Sequence, residues 1–431
     1  MSDDSEPIKR AWAIIRLYPP NFSGAAIQAH RILQRVASST REVQVLSAAD
    51  HESKHLVGQK KEIDGVHVRY LRTFRRRDFR FLQRIPSVRN RLRYMSQLWQ
   101  DFTFNVNVAT KLLRYGSAGE VALLYSVDEF SIIVTTVCRW KRMKTIIQMS
   151  LVGADDPGSF QYSWYSVLTR MKIRAFHIAD LVIGLSTALT TSCIRAGIDA
   201  RKIVRIPNGV DLQTFHPPAD RNQKKRDVKL DESQTHLIFV GSALHRKGID
   251  VLIPCFVEIA KCQNVELLVV GEHEFDDGAR NDQGRRDLVA SLKRLISENS
   301  LQDRVHWLGQ IENVSDYLQA SDIFFFPTRR EGLPNALAEA MACGLAVVTS
   351  KVEGVTTDLV QHEVDGLLVA GFEPEDYQEQ IERLLDSRPW VQELGSRAAD
   401  KIQRDFSLNL AADRYRELLF GTHSSETTTK D

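Results

Sequence analysis

Short β-branched or apolar runs alternate with longer amphipathic stretches along almost the whole chain, and this alternation constrains the fold more than any other feature. It is typical of parallel strands joined by crossover helices. The first half predicts strands at 11–17, 43–47, 66–71, 121–125, 145–149, 181–185 and 203–206. The second half predicts strands at 236–240, 265–270, 305–308, 323–327, 346–349 and 366–369. The predicted class is α/β, with Rossmann-like doubly wound parallel sheets.

A chain of 431 residues is too long for one ordinary core and predicts two domains. Pro207, Asn208 and Gly209 combine two turn signals ahead of a polar, lysine-rich stretch at 217–231. We therefore expect domains at 1–207 and 208–405. In the remaining segment, 406–431, we expect a helix that packs back on the first domain and a disordered tail from residue 421. Such domains hold ligands in a cleft between the carboxyl ends of their sheets.

Composition excludes several classes of protein. The 57 basic and 55 acidic side chains leave a formal charge of +2, which argues against a wholesale nucleic-acid binder. The chain has no apolar run of about 18 residues and begins with a polar, acidic segment, so we expect neither a membrane span nor a signal peptide. We predict a cytoplasmic protein, soluble or peripheral on the inner face of the membrane. Its five cysteines are expected to be reduced core residues.

The most informative segment runs from Ser321 to Gly344 and predicts a strand, a tight loop and a helix. Pro334 suits the first helical turn, and Gly344 suits the position just after the helix. A helix N-terminus at the carboxyl end of a strand is an anion site. Glu331 in the loop and Glu339 in the helix accept hydrogen bonds from hydroxyl groups. The combination predicts a sugar nucleotide, with Glu339 on the ribose and Glu331 on the transferred sugar.

Glu331 and Glu339 resemble the E-x7-E motif of glycosyltransferase family 4, whose members are retaining enzymes with the GT-B fold of two Rossmann-like domains facing a cleft. The residues that flank the two glutamates are also similar to the family, as are 208–211, Phe215 and Pro217 near the domain boundary. The resemblance covers nearly the whole chain. It implies that the first domain binds the acceptor, that the second binds a nucleotide sugar, and that Glu339 binds the ribose beside the sugar at Glu331.

A second segment, 239–248, predicts a strand, a glycine turn and a helix. Its Arg246 and Lys247 are expected to reach a diphosphate, where cations stabilise the charge of the departing phosphate. The family resemblance implies a matching role for Lys247, but Ser242 stands where many relatives have an arginine, and Arg246 is our candidate for the missing guanidinium. Lys247, Arg246 and Glu331 are therefore the predicted catalytic residues. The donor is expected to contact Gly241, Ser242, Gly332, Leu333, Asn335, Ala336 and Glu339.

Two regions of the first domain complete the predicted site. Gly24 follows the first strand and resembles the family's first glycine-bearing loop, which lies over the donor phosphates. After the predicted strand 145–149, many relatives have a histidine that contacts the donor sugar, whereas this chain continues with Ser150. We place Ser150 and Asp155 on the acceptor side, although an ordinary Asp-Asp-Pro turn also accounts for Asp155.

The segment from Arg69 to Arg93 is rich in arginine, interleaved with aromatic residues and opposed only by Asp78. Basic residues mixed with aromatic ones are typical of contact with an anionic membrane or with a lipid-phosphate acceptor. RNA binding and a plain solvated loop are the alternatives. On the acceptor side of a GT-B enzyme, this segment favours a membrane-linked or lipid-linked glycan.

The chain has no G-x-G-x-x-G, Walker loop or G-x-S-x-G, so it lacks the signatures of dehydrogenases, NTPases and serine hydrolases. It also has no Asp-x-Asp pair, and we expect catalysis without a metal ion or other cofactor. The prediction is a retaining glycosyltransferase that moves a sugar from a nucleotide-diphosphate sugar to a glycan or lipid-linked glycan in surface polysaccharide or glycolipid synthesis. The alternatives are a non-catalytic glycan-binding or scaffold subunit, and an epimerase or phosphorylase with the same fold.

Overall fold

The computed structural model describes residues 10–19, 24–37, 41–49, 54–73, 86–162, 166–273 and 283–421. The chain forms two compact units, one of residues 1–209 with 408–431 and the other of residues 210–407. The boundary expected after residue 207 lies two residues before the end of the first segment of unit 1. The tail expected from residue 421 lies, beyond Gly421, outside the described residues. None of the described helices has both the length and the apolar composition needed to cross a bilayer.

Unit 1 is a sheet flanked by helices. Its strands are β1 (Arg10–Ile15), β2 (Glu42–Ala48), β3 (Lys60–Ile63), β4 (Val66–Leu71), β5 (Val121–Tyr125), β6 (Lys144–Met149), β7 (Leu181–Gly184) and β8 (Ile203–Arg205). Its helices before the boundary are α1 (Gly24–Val36), α2 (Pro86–Tyr115), α3 (Ser131–Trp140), α4 (Ser166–Ile178) and α5 (Thr187–Arg195). The strand order is β3-β4-β2-β1-β5-β6-β7-β8. The order reverses between β1 and β5, so the loops that follow these two strands flank the switch point of the sheet.

Unit 2 repeats this architecture. Its strands are β9 (Thr235–Val240), β10 (Val265–Val270), β11 (Val305–Gly309), β12 (Ile323–Phe326), β13 (Ala346–Ser350) and β14 (Leu367–Val369). Its helices are α6 (Arg221–Asp227), α7 (Ile249–Cys262), α8 (Gln283–Glu298), α9 (Val314–Ala320), α10 (Asn335–Ala342), α11 (Thr356–Leu359), α12 (Pro374–Leu385) and α13 (Arg388–Asp405). The strand order β11-β10-β9-β12-β13-β14 is all parallel and reverses between β9 and β12. The α/β class with two Rossmann-like sheets is therefore confirmed, and every described strand pair except β3 with β4 is parallel.

The last described helix, α14 (Leu408–Phe420), belongs to unit 1 although it follows unit 2 in the chain. It packs against α1 and β1. Its buried Tyr415 donates from Oη to Gln148 Oε1 at 2.6 Å, and Leu419 and Phe420 join the core that surrounds β1. The core of unit 1 is therefore completed by the C-terminal end of the described chain.

Two expectations about the fold were wrong. The first sheet is not wholly parallel, because β3 pairs antiparallel with β4 through a two-residue turn at Asp64 and Gly65. Both turn residues have positive φ, 49° and 77°, as a tight hairpin with an Asp-Gly turn requires. In addition, Cys262 at the end of α7 is exposed, whereas the other four free cysteines are buried.

Candidate active site

The segment with the two glutamates lies at the switch point of unit 2. The strand β12 is buried at all its positions, and a loop of eight residues separates it from α10, which begins at Asn335. Pro334 is the residue just before the helix, so among the described residues no side chain caps the first turn of α10. The N–H groups of a first helical turn have no acceptor within their own helix. The end of α10 that faces the loop therefore favours an anion.

Glu331 lies in this loop and is only 7% exposed. Its Oε1 lies 2.6 Å from Lys247 Nζ and 3.0 Å from Arg246 Nη1, and it accepts a hydrogen bond from Thr328 Oγ1 at 3.2 Å. A buried carboxylate requires such partners, because its charge is otherwise unfavourable away from water. The structure thus brings together three residues that the sequence analysis singled out from two separate segments.

Lys247 also contacts the core of unit 2, with its Nζ 5.2 Å from the centre of the Phe326 ring. Burial lowers the pKa of its ammonium group from the ordinary value, and the Glu331 carboxylate opposes part of this effect. Glu331 therefore keeps a charged lysine in a partly desolvated position. A cation in such surroundings interacts with an anion more strongly than one in water.

The loop that carries Arg246 and Lys247 connects β9 to α7. A short 3-10 turn spans His245–Lys247 and ends at Gly248, whose φ of 79° and ψ of 21° are left-handed. A Cβ atom at residue 248 would lie 1.9 Å from the carbonyl oxygen of Pro327. Only glycine therefore allows the β9–α7 loop to approach the loop after β12, and this approach brings Lys247 to Glu331.

Arg329 ties these two loops together, and the sequence analysis did not single it out. Its backbone N–H donates to Arg246 O at 2.9 Å, and its Nη1 donates to His245 O at 2.8 Å. Its guanidinium also forms two hydrogen bonds with the Asp250 carboxylate in the first turn of α7. A basic residue two positions before Glu331 and an acidic one two positions after Gly248 were the available signals.

Arg285 of α8 holds the start of the β9–α7 loop and was also missed. It is buried, and it donates from Nε to Ala243 O at 3.3 Å and from Nη2 to Glu272 O at 3.1 Å. Ala243 N donates to Glu272 O at 2.9 Å, while Gly241 N donates to Val270 O at 2.8 Å. The glycine turn is therefore braced against the end of β10, and Gly241 and Ser242 lie half-buried within it.

The remaining predicted donor residues follow along the β12–α10 segment. Gly332 and Leu333 are buried in the loop, whereas Asn335, Ala336 and Glu339 are half-buried on the first turns of α10. Gly344 has a positive φ of 71° directly after the helix, as its sequence position predicted.

In unit 1, the predicted acceptor residues Ser150 and Asp155 lie in the loop that follows β6. Asp155 is buried, and its Oδ2 accepts from Ser150 N at 2.8 Å, Ser150 Oγ at 2.7 Å and Ser126 Oγ at 3.0 Å. Its Oδ1 accepts from Leu151 N at 2.9 Å. The Asp155 carboxylate thus accepts hydrogen bonds mainly from its own loop, and these bonds hold the conformation of the loop after β6. Asp155 therefore fixes the place of Ser150, which is itself half-buried.

A second polar cluster lies at the same edge of unit 1 and was not predicted. The buried Asp101 of α2 forms an ion pair with Arg16, which follows β1. Asp128, which follows β5, accepts from the buried Asn105 of α2 at 2.8 and 2.9 Å. Burial raises the pKa of Asp128 and lowers that of Arg16 from their ordinary values. The charged groups at the switch point of unit 1 are thus held by partners from α2.

Gly24 begins α1, and a Cβ atom there would meet nothing within 4 Å. The residues between Pro19 and Gly24 lie outside the described part of the chain, as do residues 74–85 of the arginine-rich segment. Among the residues that the structure describes, no three or more His, Cys, Asp or Glu side chains form a group that could hold a metal ion.

The fold and the site together indicate a nucleotide-binding protein of two Rossmann-like units. At the switch point of unit 2, two cations and a carboxylate lie near a helix N-terminus, which favours a phosphate group. Two family models match the chain, one described as "Glycosyl transferase 4-like domain" over residues 23–209 and the other as "Glycosyl transferases group 1" over residues 220–401. Together the two models match most of the chain, which belongs to the glycosyltransferases that they describe, and membership of the family expected from the sequence is confirmed.

Among curated relatives, the chain is 26% identical over 210 residues to the lipopolysaccharide core biosynthesis mannosyltransferase LpsB of Rhizobium meliloti, covering 48% of this chain and 57% of that protein. It is 31% identical over 229 residues to the D-inositol 3-phosphate glycosyltransferase of Segniliparus rotundus, covering 52% and 49%. The chain thus spans about half the length of the curated relatives that it matches.

Solved structures share the fold along nearly the whole chain. The Anabaena protein HepE in complex with UDP matches with a TM-score of 0.73 at 20% identity, covering 96% of this chain and 99% of that one. Sucrose-phosphate synthase from Thermosynechococcus elongatus matches with a TM-score of 0.74 at 20% identity, covering 95% and 98%. The GT-B fold expected from the resemblance is therefore confirmed.

Proposed function

We propose that this protein is a retaining glycosyltransferase that moves a sugar from a nucleotide-diphosphate sugar to a hydroxyl of a glycan or lipid-linked glycan. The observation that carries the proposal is the grouping of Lys247, Arg246 and Glu331 beside the N-terminus of α10. The grouping combines donors for a diphosphate with an acceptor for sugar hydroxyls. It lies at the switch point of a doubly wound sheet, where such folds bind nucleotides.

In this proposal, Lys247 and Arg246 bind the diphosphate, and the amides of Gly332, Leu333, Asn335 and Ala336 bind the phosphate and the sugar hydroxyls. Glu339 accepts hydrogen bonds from the ribose diol, and Glu331 accepts them from the transferred sugar. Gly241 and Ser242 border the diphosphate. Gly24 of unit 1 has no side chain, so its own backbone can approach the donor closely. The bond between the anomeric carbon and the phosphate oxygen breaks as negative charge grows on the phosphate. The two cations stabilise this charge more in the transition state than in the ground state.

The names of the similar proteins support this chemistry. HepE has been solved with UDP and with UDP-glucose, which are a nucleoside diphosphate and a nucleotide sugar. LpsB is named as a mannosyltransferase of lipopolysaccharide core biosynthesis, and another relative from Campylobacter jejuni as a transferase that acts on a diphospho-undecaprenol. These names favour a nucleotide-sugar donor and an acceptor in cell-surface glycan or glycolipid synthesis.

We further propose that the reaction needs neither a metal ion nor a protein base. The acceptor oxygen forms its bond to the anomeric carbon on the face from which the phosphate departs, and the departing phosphate oxygen accepts the acceptor proton. This step retains the configuration at the anomeric carbon. Lys247 and Arg246 supply at the diphosphate the positive charge that a divalent ion supplies in other transferases.

The acceptor is proposed to bind unit 1 beside Ser150, whose position is fixed by Asp155. A lipid-linked acceptor implies a cytoplasmic protein that is peripheral on the inner face of the membrane. The arginine-rich segment Arg69–Arg93 is a proposed contact with anionic lipid, and most of it lies outside the described residues.

Calorimetric titration with UDP, GDP and ADP, each with and without magnesium, tests the donor half of the proposal. We expect one nucleotide to bind with a micromolar Kd that magnesium leaves unchanged, and Glu339→Ala to abolish this binding. Glu298→Ala, at an exposed position on α8, is the matched control. If none of the three nucleotides binds, the transferase proposal fails and a non-catalytic glycan-binding subunit is favoured.

A further inference from the structure

Three adjacent helices of unit 1 are almost free of acidic residues. The helices α2, α3 and α4 pack side by side, and the only acidic residue in their sequences is Asp101. This carboxylate is 3% exposed and is paired with Arg16. The described outer surface of the three helices therefore presents no negative charge, in a protein whose acidic and basic residues are nearly balanced overall.

The described part of α2 buries two charged or amide side chains beside its apolar core positions Phe104, Val108 and Leu112, and it exposes several large apolar residues. Asp101 and Asn105 are buried at 3% and 2% exposure, where they bind Arg16 and Asp128. Spacings of four, three and four residues place the exposed apolar side chains on one side of the helix; these are Met95, Trp99, Phe102 and Val106, with exposures of 50%, 48%, 36% and 38%. Such a stripe on a helix surface marks an interaction with something other than water.

Unpaired cations lie on the neighbouring helices. Arg139 of α3 and Arg170, Arg174 and His177 of α4 line a surface pocket of about 510 Å³. These four side chains are exposed, and the described part of the chain provides no ion pair or hydrogen bond to their charged groups. Trp140, directly after Arg139, is 74% exposed. An exposed tryptophan beside unpaired arginines is typical of a protein surface that lies at a lipid headgroup layer.

We propose that the outer surface of α2, α3 and α4, called here the α2–α4 surface, docks on an anionic lipid bilayer. Arg139, Arg170 and Arg174 contact lipid phosphates, while Trp140 and the apolar stripe of α2 enter the boundary between headgroups and acyl chains. Met95 and Val106 of the stripe favour lipid over nucleic acid, because a polar sugar-phosphate backbone offers these apolar side chains no apolar contact. The inference rests on the membrane association proposed above and names the surface responsible for it. It depends on no residue of the donor site.

Co-sedimentation of the full chain with vesicles tests this surface. We expect the wild type to sediment with vesicles of phosphatidylcholine and phosphatidylglycerol, and not with vesicles of phosphatidylcholine alone. Each cation near an anionic surface accounts for about a fivefold change in partitioning, so the triple variant Arg139→Gln, Arg170→Gln, Arg174→Gln should lose about a hundredfold. The corresponding triple lysine variant should retain most of the binding, and Trp140→Ala should reduce it.

A variant of unit 2, Lys261→Gln, Arg294→Gln, Arg397→Gln, removes three exposed charges elsewhere and is the matched control. If wild type binds and the glutamine variant of unit 1 binds equally well, or if the control loses as much, the α2–α4 surface is not the site, although membrane association stands. If the wild type does not sediment, both the surface and the proposed membrane association fail. If transfer RNA binds through the same arginines and displaces the protein from the vesicles, the assignment of this surface to lipid fails. Unchanged nucleotide binding in every variant shows that the donor site is intact.

Discussion

Arg329 and Asp250 form an ion pair with two parallel hydrogen bonds, 2.8 Å between Nη1 and Oδ1 and 2.9 Å between Nη2 and Oδ2. Asp250 lies in the first turn of α7, and Arg329 lies in the loop after β12. The same arginine binds the backbone carbonyls of His245 and Arg246. The pair therefore sets the position from which Arg246 and Lys247 reach Glu331, although neither member touches Glu331 among the described contacts.

We expect Arg329→Lys to lower kcat about tenfold. A lysine cannot reproduce the two parallel hydrogen bonds to Asp250, so Arg246 and Lys247 in the β9–α7 loop lose their alignment. The partly exposed pair contributes about 1–2 kcal/mol to the free energy of unfolding. Steady-state kinetics and thermal melts measure the two effects separately. Asp250→Asn should have the same effect on kcat, and the double variant should be no worse than either single one. A wild-type kcat in both single variants would mean that the pair does not position the site.

Lys247→Ala should slow turnover far more than it weakens donor binding. Loss of a group that stabilises transition-state charge costs about 100-fold to 1,000-fold in kcat. Glu331 keeps Arg246 as a partner in this variant, so the fold of the loop should persist. Single-turnover rates and calorimetry on the same samples separate the two effects. Lys247→Arg is the control that retains the charge, and we expect it to recover part of the rate. Equal losses in kcat and in nucleotide affinity would contradict the assigned role.

Glu339→Ala should do the opposite and mainly weaken donor binding. A charged acceptor that holds a ribose diol contributes about 1.5–3 kcal/mol, which corresponds to about a 10-fold to 100-fold rise in the Kd of the nucleotide. Glu331→Gln is the matched comparison, because it alters the carboxylate assigned to the sugar and should leave the Kd of the nucleoside diphosphate within about threefold. Calorimetry with the diphosphate alone distinguishes the two glutamates, and an unchanged Kd in Glu339→Ala would remove the ribose assignment.

Much of the fold follows from local patterns in the sequence. Every predicted strand is present, because buried parallel strands such as β12 are continuous apolar runs with turn residues on both sides. The antiparallel edge strand β3 was missed, since its residues Lys60–Ile63 are mostly polar and exposed. The Asp64-Gly65 turn beside it was nevertheless a sufficient hairpin signal.

The sequence predicted the parts of the site whose residues lie close together in the chain, but not the contacts between distant segments. Glu331 and Glu339 share a strand-loop-helix segment, so their chemistry was apparent from spacing. The contact between Arg329 and Asp250 joins residues 79 positions apart in the chain and depends on the order of β9 and β12 in the sheet. The bonds that Asp155 makes to its own loop are likewise visible only in three dimensions.

Gly248→Ala should destabilise unit 2 severely. The new Cβ atom would lie 1.9 Å from Pro327 O, and the left-handed backbone adds about 1–2 kcal/mol for a residue other than glycine. We expect a total loss of at least about 3 kcal/mol in the free energy of unfolding, as measured by urea denaturation. Gly24→Ala is the control, because it has open space around it and begins a helix, so its unfolding free energy should be equal or slightly higher. If the two variants melt alike, the close approach of the two loops is not required.

The stability of unit 2 should fall as the pH falls below 6.5, because of the buried His236. Its Nε2 lies 3.4 Å from Glu266 Oε2 and its Nδ1 lies 4.0 Å from Asp322 Oδ2, and in the described structure neither nitrogen forms a hydrogen bond. Burial, with help from Lys225 and His306, lowers the pKa of His236 from its ordinary value of 6.5 against the opposing effect of the two carboxylates.

Because the pKa of His236 is lower in the folded state, the unfolded chain binds a proton just below pH 6.5 that the folded chain does not. The stability that this residue contributes is therefore present above pH 6.5 and is lost as the pH falls towards the folded pKa. Urea denaturation between pH 7.5 and 5.5 measures the slope of the unfolding free energy. We expect His236→Leu to make that slope shallower, since the leucine cannot take up a proton and removes no hydrogen bond. The exposed His55→Gln should keep the wild-type slope, and an unchanged slope in His236→Leu would place the acid sensitivity elsewhere.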